Sequence, residues 1–127
     1  MNALVLDAGA LIALDRLHRQ TWVLFESALS DRRPMVTHTG IVAQVWRQPA
    51  RQARLVRALR AVDIHPLDLA LALASGVLLA ESGTSDVHDA ALALLCRAGD
   101  TLVTSDPDDL GRLLAERRMD SVAIVSP

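Results

Sequence analysis

The sequence alternates short apolar runs with longer helical stretches, and this alternation constrains the fold more than any other feature. A short, continuously apolar run is typical of a strand that is buried on both faces, as in a parallel sheet. Parallel neighbours must be joined by crossovers, and the stretches between the runs are long enough for helices. We therefore predict five strands, at residues 3–6, 35–37, 62–65, 102–104 and 122–125.

Turn and capping residues divide the intervening stretches into helices. Asp68 is the predicted N-cap of one helix, and Gly83 is its predicted C-terminal glycine. Thr37 or Thr39 is the expected cap of another. The remaining helices are predicted at residues 10–17, 20–29, 39–47, 49–61 and 107–118, with a further helix that Thr84, Ser85 or Asp86 could cap and that Gly99 closes. Helices that join parallel strands cover both faces of the sheet, so we expect a single three-layer α/β/α domain over residues 1–127, with a mainly parallel sheet of about five strands.

The most apolar stretch runs from Leu69 to Ala80. A membrane span needs about 20 residues, so we predict a buried helix here and no membrane partner. The N-terminus has no basic region and Asp7 interrupts its apolar start, which argues against a signal peptide. The only cysteine is Cys96, so no internal disulfide can form. We expect a cytoplasmic protein.

Five aspartates are placed where a parallel sheet collects its ligands, beyond the carboxyl ends of the strands. Asp7 and Asp106 directly follow predicted strands, whereas Asp86 and Asp89 lie three residues apart at a helix start, as do Asp106 and Asp109. Asp86, Asp106 and Asp109 can each also be explained as an ordinary helix cap or first-turn acid. Converging carboxylates repel one another unless cations neutralise them, and Mg²⁺ or Mn²⁺ suits oxygen ligands.

With these acids in place, the sequence resembles the PIN domain, and within it the VapC-type toxins of bacterial toxin–antitoxin pairs. The resemblance spans nearly the whole chain. Its four pieces are residues 5–12, 39–46, 86–91 and 102–110, which read VLDAGALI, TGIVAQVW, DVHDAA and LVTSDPDDL.

The resemblance implies a metal-dependent ribonuclease that hydrolyses RNA phosphodiester bonds with a quartet of acids. Asp7 matches the first acid of the family, Asp89 the third and Asp106 the fourth. Asp86 is an alternative or supplementary third acid, and Asp109 is a further candidate ligand. The implied cofactor is Mg²⁺ or Mn²⁺. The implied partners are an RNA substrate, a cognate antitoxin and a second copy of the chain.

The second acid of the family, a Glu, falls on Gln44 in this sequence. A Gln carbonyl can bind a metal or its water, but it adds no negative charge and cannot act as a base. Thr104 and Ser105 are candidates for orienting water or phosphate, or for capping the following helix. His38, His65 and His88 lack the spacing of metal ligands, so we expect polar or capping roles for them.

Arginines recur every three or four residues from position 47 to position 60, and this spacing predicts one stripe along a helix. All 13 basic residues of the chain are arginines, although its net charge is −2. A solvated helix face is the commonest explanation of such a stripe. Contact with RNA phosphates is the second, and contact with the antitoxin is the third. The stripe consists of Arg47, Arg51, Arg54, Arg57 and Arg60.

Two other functional hypotheses fit parts of the sequence. A catalytically weakened PIN domain that binds RNA or protein without cutting is favoured by Gln44 alone. A phosphatase or a receiver-like switch also places acids at strand ends, but Asp7 lacks the second Asp of such a phosphatase, and the chain has no Lys for a receiver site.

Overall fold

The computed structural model describes residues 2–127, which form a five-stranded sheet and seven α-helices. The strands are β1 (Leu4–Leu6), β2 (Met35–His38), β3 (Asp63–His65), β4 (Thr101–Val103) and β5 (Ala123–Val125). The helices are α1 (Ala8–Asp15), α2 (Arg19–Ser30), α3 (Thr39–Val45), α4 (Ala53–Leu59), α5 (Leu69–Ser82), α6 (Val87–Leu95) and α7 (Pro107–Glu116). A 3-10 turn at Pro49–Arg51 precedes α4.

All neighbouring strands are parallel, in the order β3-β2-β1-β4-β5. The strand order reverses after β3, so right-handed crossovers place α1 to α4 on one face of the sheet and α5 to α7 on the other. The packing agrees, because α1 contacts α2, α3 and α4, whereas α5 contacts α6 and α7. The predicted three-layer α/β/α architecture with a parallel sheet is confirmed.

The central strand β1 anchors the hydrophobic core. Leu4, Val5 and Leu6 are all buried, and Leu11 of α1 and Leu92 of α6 are among the buried core residues. Burying one such side chain contributes about 1.5–3 kcal/mol. Because β1 is held between β2 and β4, its carboxyl end fixes where the chain leaves the sheet, and the next residue is Asp7.

Helices α1 and α3 are capped by the residues that end or directly follow the preceding strands, Asp7 and His38. α1 starts at Ala8, two residues earlier than predicted, because the side chain of Asp7 caps it. α3 is capped by His38, whose ring nitrogen Nδ1 accepts from the backbone N–H of Gly40. Thr37 cannot cap α3, since its hydroxyl donates to the Leu6 carbonyl and ties β2 to β1.

The predicted helix at 49–61 is wrong as a single element, because Gln52 separates the 3-10 turn from α4. The Gln52 side chain is buried and all of its hydrogen bonds are made. Its Oε1 accepts from the backbone N–H groups of Arg47 and Gln48, and its Nε2 donates to the Val45 carbonyl and to Asp15. This side chain fixes the loop between α3 and α4.

Helix α5 begins after its cap Asp68 and ends at Gly83, as predicted. Gly83 adopts φ of 70°, a left-handed conformation that favours glycine. The prediction that the helix is buried is wrong. Leu69, Leu73 and Val77 are 73%, 63% and 60% exposed. Within residues 2–127, no helix combines the length and apolarity that crossing a bilayer requires.

Candidate active site

Three carboxylates converge at the edge of the sheet where the parallel strands end. Asp89 lies in the first turn of α6, and Asp106 and Asp109 lie at the start of α7. One carboxylate oxygen from each of the three lies within 4.8 Å of the other two. Asp89 is buried, Asp106 is half-buried and Asp109 is exposed, so the cluster opens from the protein interior toward solvent.

Asp7 lies beside this cluster and is held by two hydrogen bonds. Its Oδ1 accepts from the backbone N–H of Ala8 at 2.6 Å, and its Oδ2 accepts from the Thr104 hydroxyl at 2.5 Å. The Thr104 oxygen in turn accepts from the backbone N–H of Asp106 at 2.8 Å. Thr104 therefore connects Asp7 to the start of α7, which carries two of the clustered acids.

The electrostatics of the cluster concentrate on Asp89. Burial, and after it the negative charges of Asp86, Asp7 and Asp106, together raise the pKa of its carboxyl from 3.8 to about 8. Its Oδ2 atom is buried and has no hydrogen-bond partner among the described residues. A buried acceptor without a donor, surrounded by carboxylates, matches the needs of a hard divalent cation. The residues present therefore fit Mg²⁺ or Mn²⁺.

Asp86 and Ser105 lie outside the cluster of three. Asp86 is exposed and caps α6, accepting from the backbone N–H groups of His88 and Asp89 at 2.9 and 3.1 Å. The contacts of Asp86 are therefore those of an ordinary helix N-cap. Ser105 packs against α1, where a Cβ added at Gly9 would lie 2.4 Å from the Ser105 Oγ. Gly9 is the residue that permits this close approach.

Gln44 lies half-buried on α3, in a groove of about 360 Å³. None of the residues Asp7, Asp89 and Asp106 lines this groove. The groove is instead rich in groups that bind phosphate or donate hydrogen bonds, since it contains three arginines and three glutamines. Its lining residues include Arg16, Arg47, Arg51, Gln44, Gln48 and Gln52.

The five arginines do not form one helical stripe, contrary to the prediction. Only Arg54 and Arg57 lie on α4, whereas Arg51 is in the 3-10 turn. Arg47 lies in the loop after α3, where its guanidinium donates to the carbonyls of Ala43 and Trp46. All five arginines are exposed, and none has an acidic partner within 4.0 Å in residues 2–127. We call these five exposed arginines, two at the groove and three on or directly after α4, the basic surface.

Sequence reasoning missed Gln52, which holds the loop carrying Arg47. No sequence signal distinguishes it from the exposed Gln48 nearby, because its hydrogen bonds depend on where Val45 and Asp15 lie in the fold. His38 was expected in a polar or capping role, and it does cap α3. Its second contact, to the carbonyl of His88, joins parts of the chain 50 residues apart.

Comparison with known proteins gives similarity at the level of the fold. No protein-family model matches the sequence, and no curated protein matches it. VapBC2 from Rickettsia felis, solved bound to a promoter DNA fragment, is 12% identical over 98% of both chains, with a TM-score of 0.67. DNA-bound VapBC from Salmonella typhimurium is 18% identical over 99% of this chain and 98% of that one, with a TM-score of 0.64. A protein from Pyrobaculum aerophilum is 20% identical over 97% of this chain and 83% of its own, with a TM-score of 0.60.

These similarities confirm the resemblance to the PIN domain at the level of the fold. The chain has the fold of a VapC-type PIN domain.

We predict that Asp89 makes the metal-free protein less stable as pH rises. Its pKa is near 3.8 when unfolded and about 8 when folded, so its contribution to stability is complete below pH 3.8 and is lost as pH rises through 8. Asp89→Asn cannot ionise and should be more stable than wild type at pH 8 by on the order of 5 kcal/mol, at about 1.4 kcal/mol for each unit of pKa, with the difference vanishing near pH 4. Urea unfolding across this pH range measures the effect. The control is Asp63→Asn, at an exposed carboxyl, and a difference that does not depend on pH would contradict the assignment.

Proposed function

We propose that this chain is a metal-dependent ribonuclease that hydrolyses RNA phosphodiester bonds, and that it acts as the toxin of a toxin–antitoxin pair in the cytoplasm. The observation that carries the proposal is the cluster of Asp89, Asp106 and Asp109, with a buried oxygen that lacks a partner, in a VapC-type PIN fold. A chain with no catalytic use for three converging acids would gain stability by replacing one of them with a neutral residue.

Each acidic residue has a distinct part in this proposal. Asp89, Asp106 and Asp109 would hold Mg²⁺ or Mn²⁺, and Asp7 would complete the negative site from the position that Thr104 gives it. When bound, such an ion supplies Lewis-acid activation of water and neutralises charge on the phosphate. Asp86 would keep the first turn of α6 in place through its cap and add negative charge nearby. We assign Ser105 no contact with the metal.

The basic surface supports an RNA substrate, because its exposed arginines have no acidic partners among residues 2–127. Phosphates along the RNA strand would be bound by Arg47, Arg51, Arg54 and Arg57. The guanidinium of Arg47 is the least free to move, because it already donates to carbonyls at the C-terminal end of α3. Gln44 lies in the groove next to Arg47 and Arg51, where an amide side chain is better suited to contact RNA than a carboxylate would be.

The first test is cleavage of RNA in Mn²⁺. Asp106→Asn should lower the cleavage rate by about two orders of magnitude, because it removes a charge from the cluster. Asp106 is preferable to Asp7 for this test, since Asp7 also caps α1. Asp63→Asn is the matched control and should cleave like wild type, as Asp63 begins β3 at the opposite edge of the sheet.

Equal rates for wild type and Asp106→Asn would contradict the proposed site. A wild type that binds RNA without cutting it would instead favour the alternative, a catalytically weakened PIN domain acting as a binding module.

The second test concerns the basic surface. Replacing Arg51 and Arg54 with Ala should weaken RNA binding and reduce the slope of log affinity against log salt by about 1.4 for two contacts to single-stranded RNA. The control is a double variant, Arg97→Ala with Arg112→Ala, at exposed arginines that follow α6 and lie on α7 in the other layer. A slope that falls equally in both double variants would show a general charge effect and no specific surface.

The proposal includes two protein partners, an antitoxin and a second copy of the chain. The similar structures from Rickettsia felis and Salmonella typhimurium are VapBC, which supports an antitoxin here. The exposed face of α5 supports the homodimer, because Leu69, Leu73 and Val77 are spaced four residues apart and carry no charge. A twofold contact through this face brings no like charges together, whereas the basic surface would repel its own copy.

We predict that Leu73→Glu converts a dimer to a monomer, because a twofold contact would bring two carboxylates into an apolar interface. Light scattering coupled to size exclusion measures the mass of both proteins. Val23→Glu is the matched control, since Val23 is 60% exposed on α2 in the opposite layer, and it should leave the mass unchanged. A monomeric wild type would contradict the homodimer.

A further inference from the structure

His38 lies at the junction of three elements that surround the acidic site. It ends β2, it caps α3, and it is fully buried. Its Nδ1 accepts from the backbone N–H of Gly40 at 3.1 Å, and its Nε2 lies 2.9 Å from the carbonyl oxygen of His88 in the first turn of α6. Neither contact involves an acid of the cluster, although the residue after His88 is Asp89.

The two contacts together fix one chemical form of the ring. Nδ1 faces a donor and must be unprotonated, while Nε2 faces an acceptor and must carry the hydrogen. A charged ring would place an N–H against the N–H of Gly40. Burial lowers the pKa of His38 below 6.5, which agrees with a neutral ring.

The packing around His38 leaves little freedom for α6 to shift. The rings of His38 and His88 stack at 5.9 Å between centroids, with 19° between their planes. A Cβ added at Gly40 would lie 2.4 Å from the His88 ring and 2.9 Å from the His38 ring. The start of α3, the His38 ring and the first turn of α6 are therefore in direct contact.

The contact between His38 and the first turn of α6 bears on the position of Asp89, the buried acid of the cluster. Asp89 is buried, and when its carboxyl ionises the negative charges of Asp86, Asp7 and Asp106 repel it, which favours a shift of α6 away from the sheet edge. The hydrogen bond from the His38 side chain to the carbonyl of His88, the residue next to Asp89, opposes that shift. Groups that orient metal ligands in this way commonly change metal affinity about 10–100-fold.

We propose that His38 is a positioning residue of the acidic site, which holds the first turn of α6 through its Nε2–H and thereby places the Asp89 carboxylate for the cation. The inference rests on the proposed metal site, and it adds a residue that the family resemblance does not identify.

Two substitutions separate the contacts of His38. His38→Gln can place an amide N–H near the position of Nε2 and keep the bond to the His88 carbonyl, but it loses the cap of α3. His38→Asn can place an amide oxygen near Nδ1 and keep the cap, but it is too short to reach His88. Each variant loses one hydrogen bond, so their unfolding midpoints should fall by similar amounts.

The readout is Mn²⁺ affinity, measured by calorimetry on wild type and both variants. His38→Asn should bind Mn²⁺ about 10-fold more weakly, whereas His38→Gln should keep most of the wild-type affinity. A merely structural role would weaken both variants equally, and that result would overturn the inference.

The inference and the proposed function can fail separately. A wild type that does not bind Mn²⁺ would contradict the proposed function, and amide hydrogen exchange in the metal-free protein would then test His38. The amides of Asp89 and Ala90 should exchange faster in His38→Asn than in His38→Gln, and equal rates would overturn the positioning role. If neither variant folds, the ¹⁵N shifts of the His38 ring in wild type decide, since a ring protonated at Nδ1 would contradict the bond to His88.

Discussion

Repulsion among carboxylates at one edge of the sheet is the constraint that the surrounding residues must offset. The repulsion is offset differently at different acids. Asp7 accepts two hydrogen bonds, and Asp86 accepts two from the first turn of α6. Asp109 remains in contact with solvent, whereas Asp89 is buried and has its pKa raised to about 8. A cluster arranged in this way is stable without a cation at neutral pH, because Asp89 can stay protonated until one binds.

Helix capping and metal binding are not competing explanations for these residues. The same aspartate can satisfy the free N–H groups of a helix start and contribute charge to a cleft, since parallel strands deliver both to one edge. Asp7 does both, as the cap of α1 and the neighbour of the cluster. Its substitution would therefore mix a loss of fold stability with a loss of function.

The sequence was sufficient to predict the strands, the parallel sheet and the edge where the acids meet. A buried run such as Leu4–Leu6 has few alternatives, and an acid directly after it can only lie at the carboxyl end of the strand. The arginine spacing misled, because it continues across Gln52 although the helix does not. The apolar composition of α5 predicted a buried helix, but it does not show whether another element packs over Leu69, Leu73 and Val77. Both errors concern tertiary contacts, which a local pattern does not contain.

The hydrogen bond between Asp7 and Thr104 joins residues 97 positions apart in the sequence. These residues follow β1 and β4, which are neighbours in the sheet. During synthesis, Asp7 emerges long before Asp89, and Thr104, Asp106 and Asp109 emerge after α6. A nascent chain therefore cannot bring its first acids together with its last ones until the start of α7 has emerged. If the chain degrades RNA through this cluster, a nascent copy that ends before α7 lacks two of the three acids that the cluster needs.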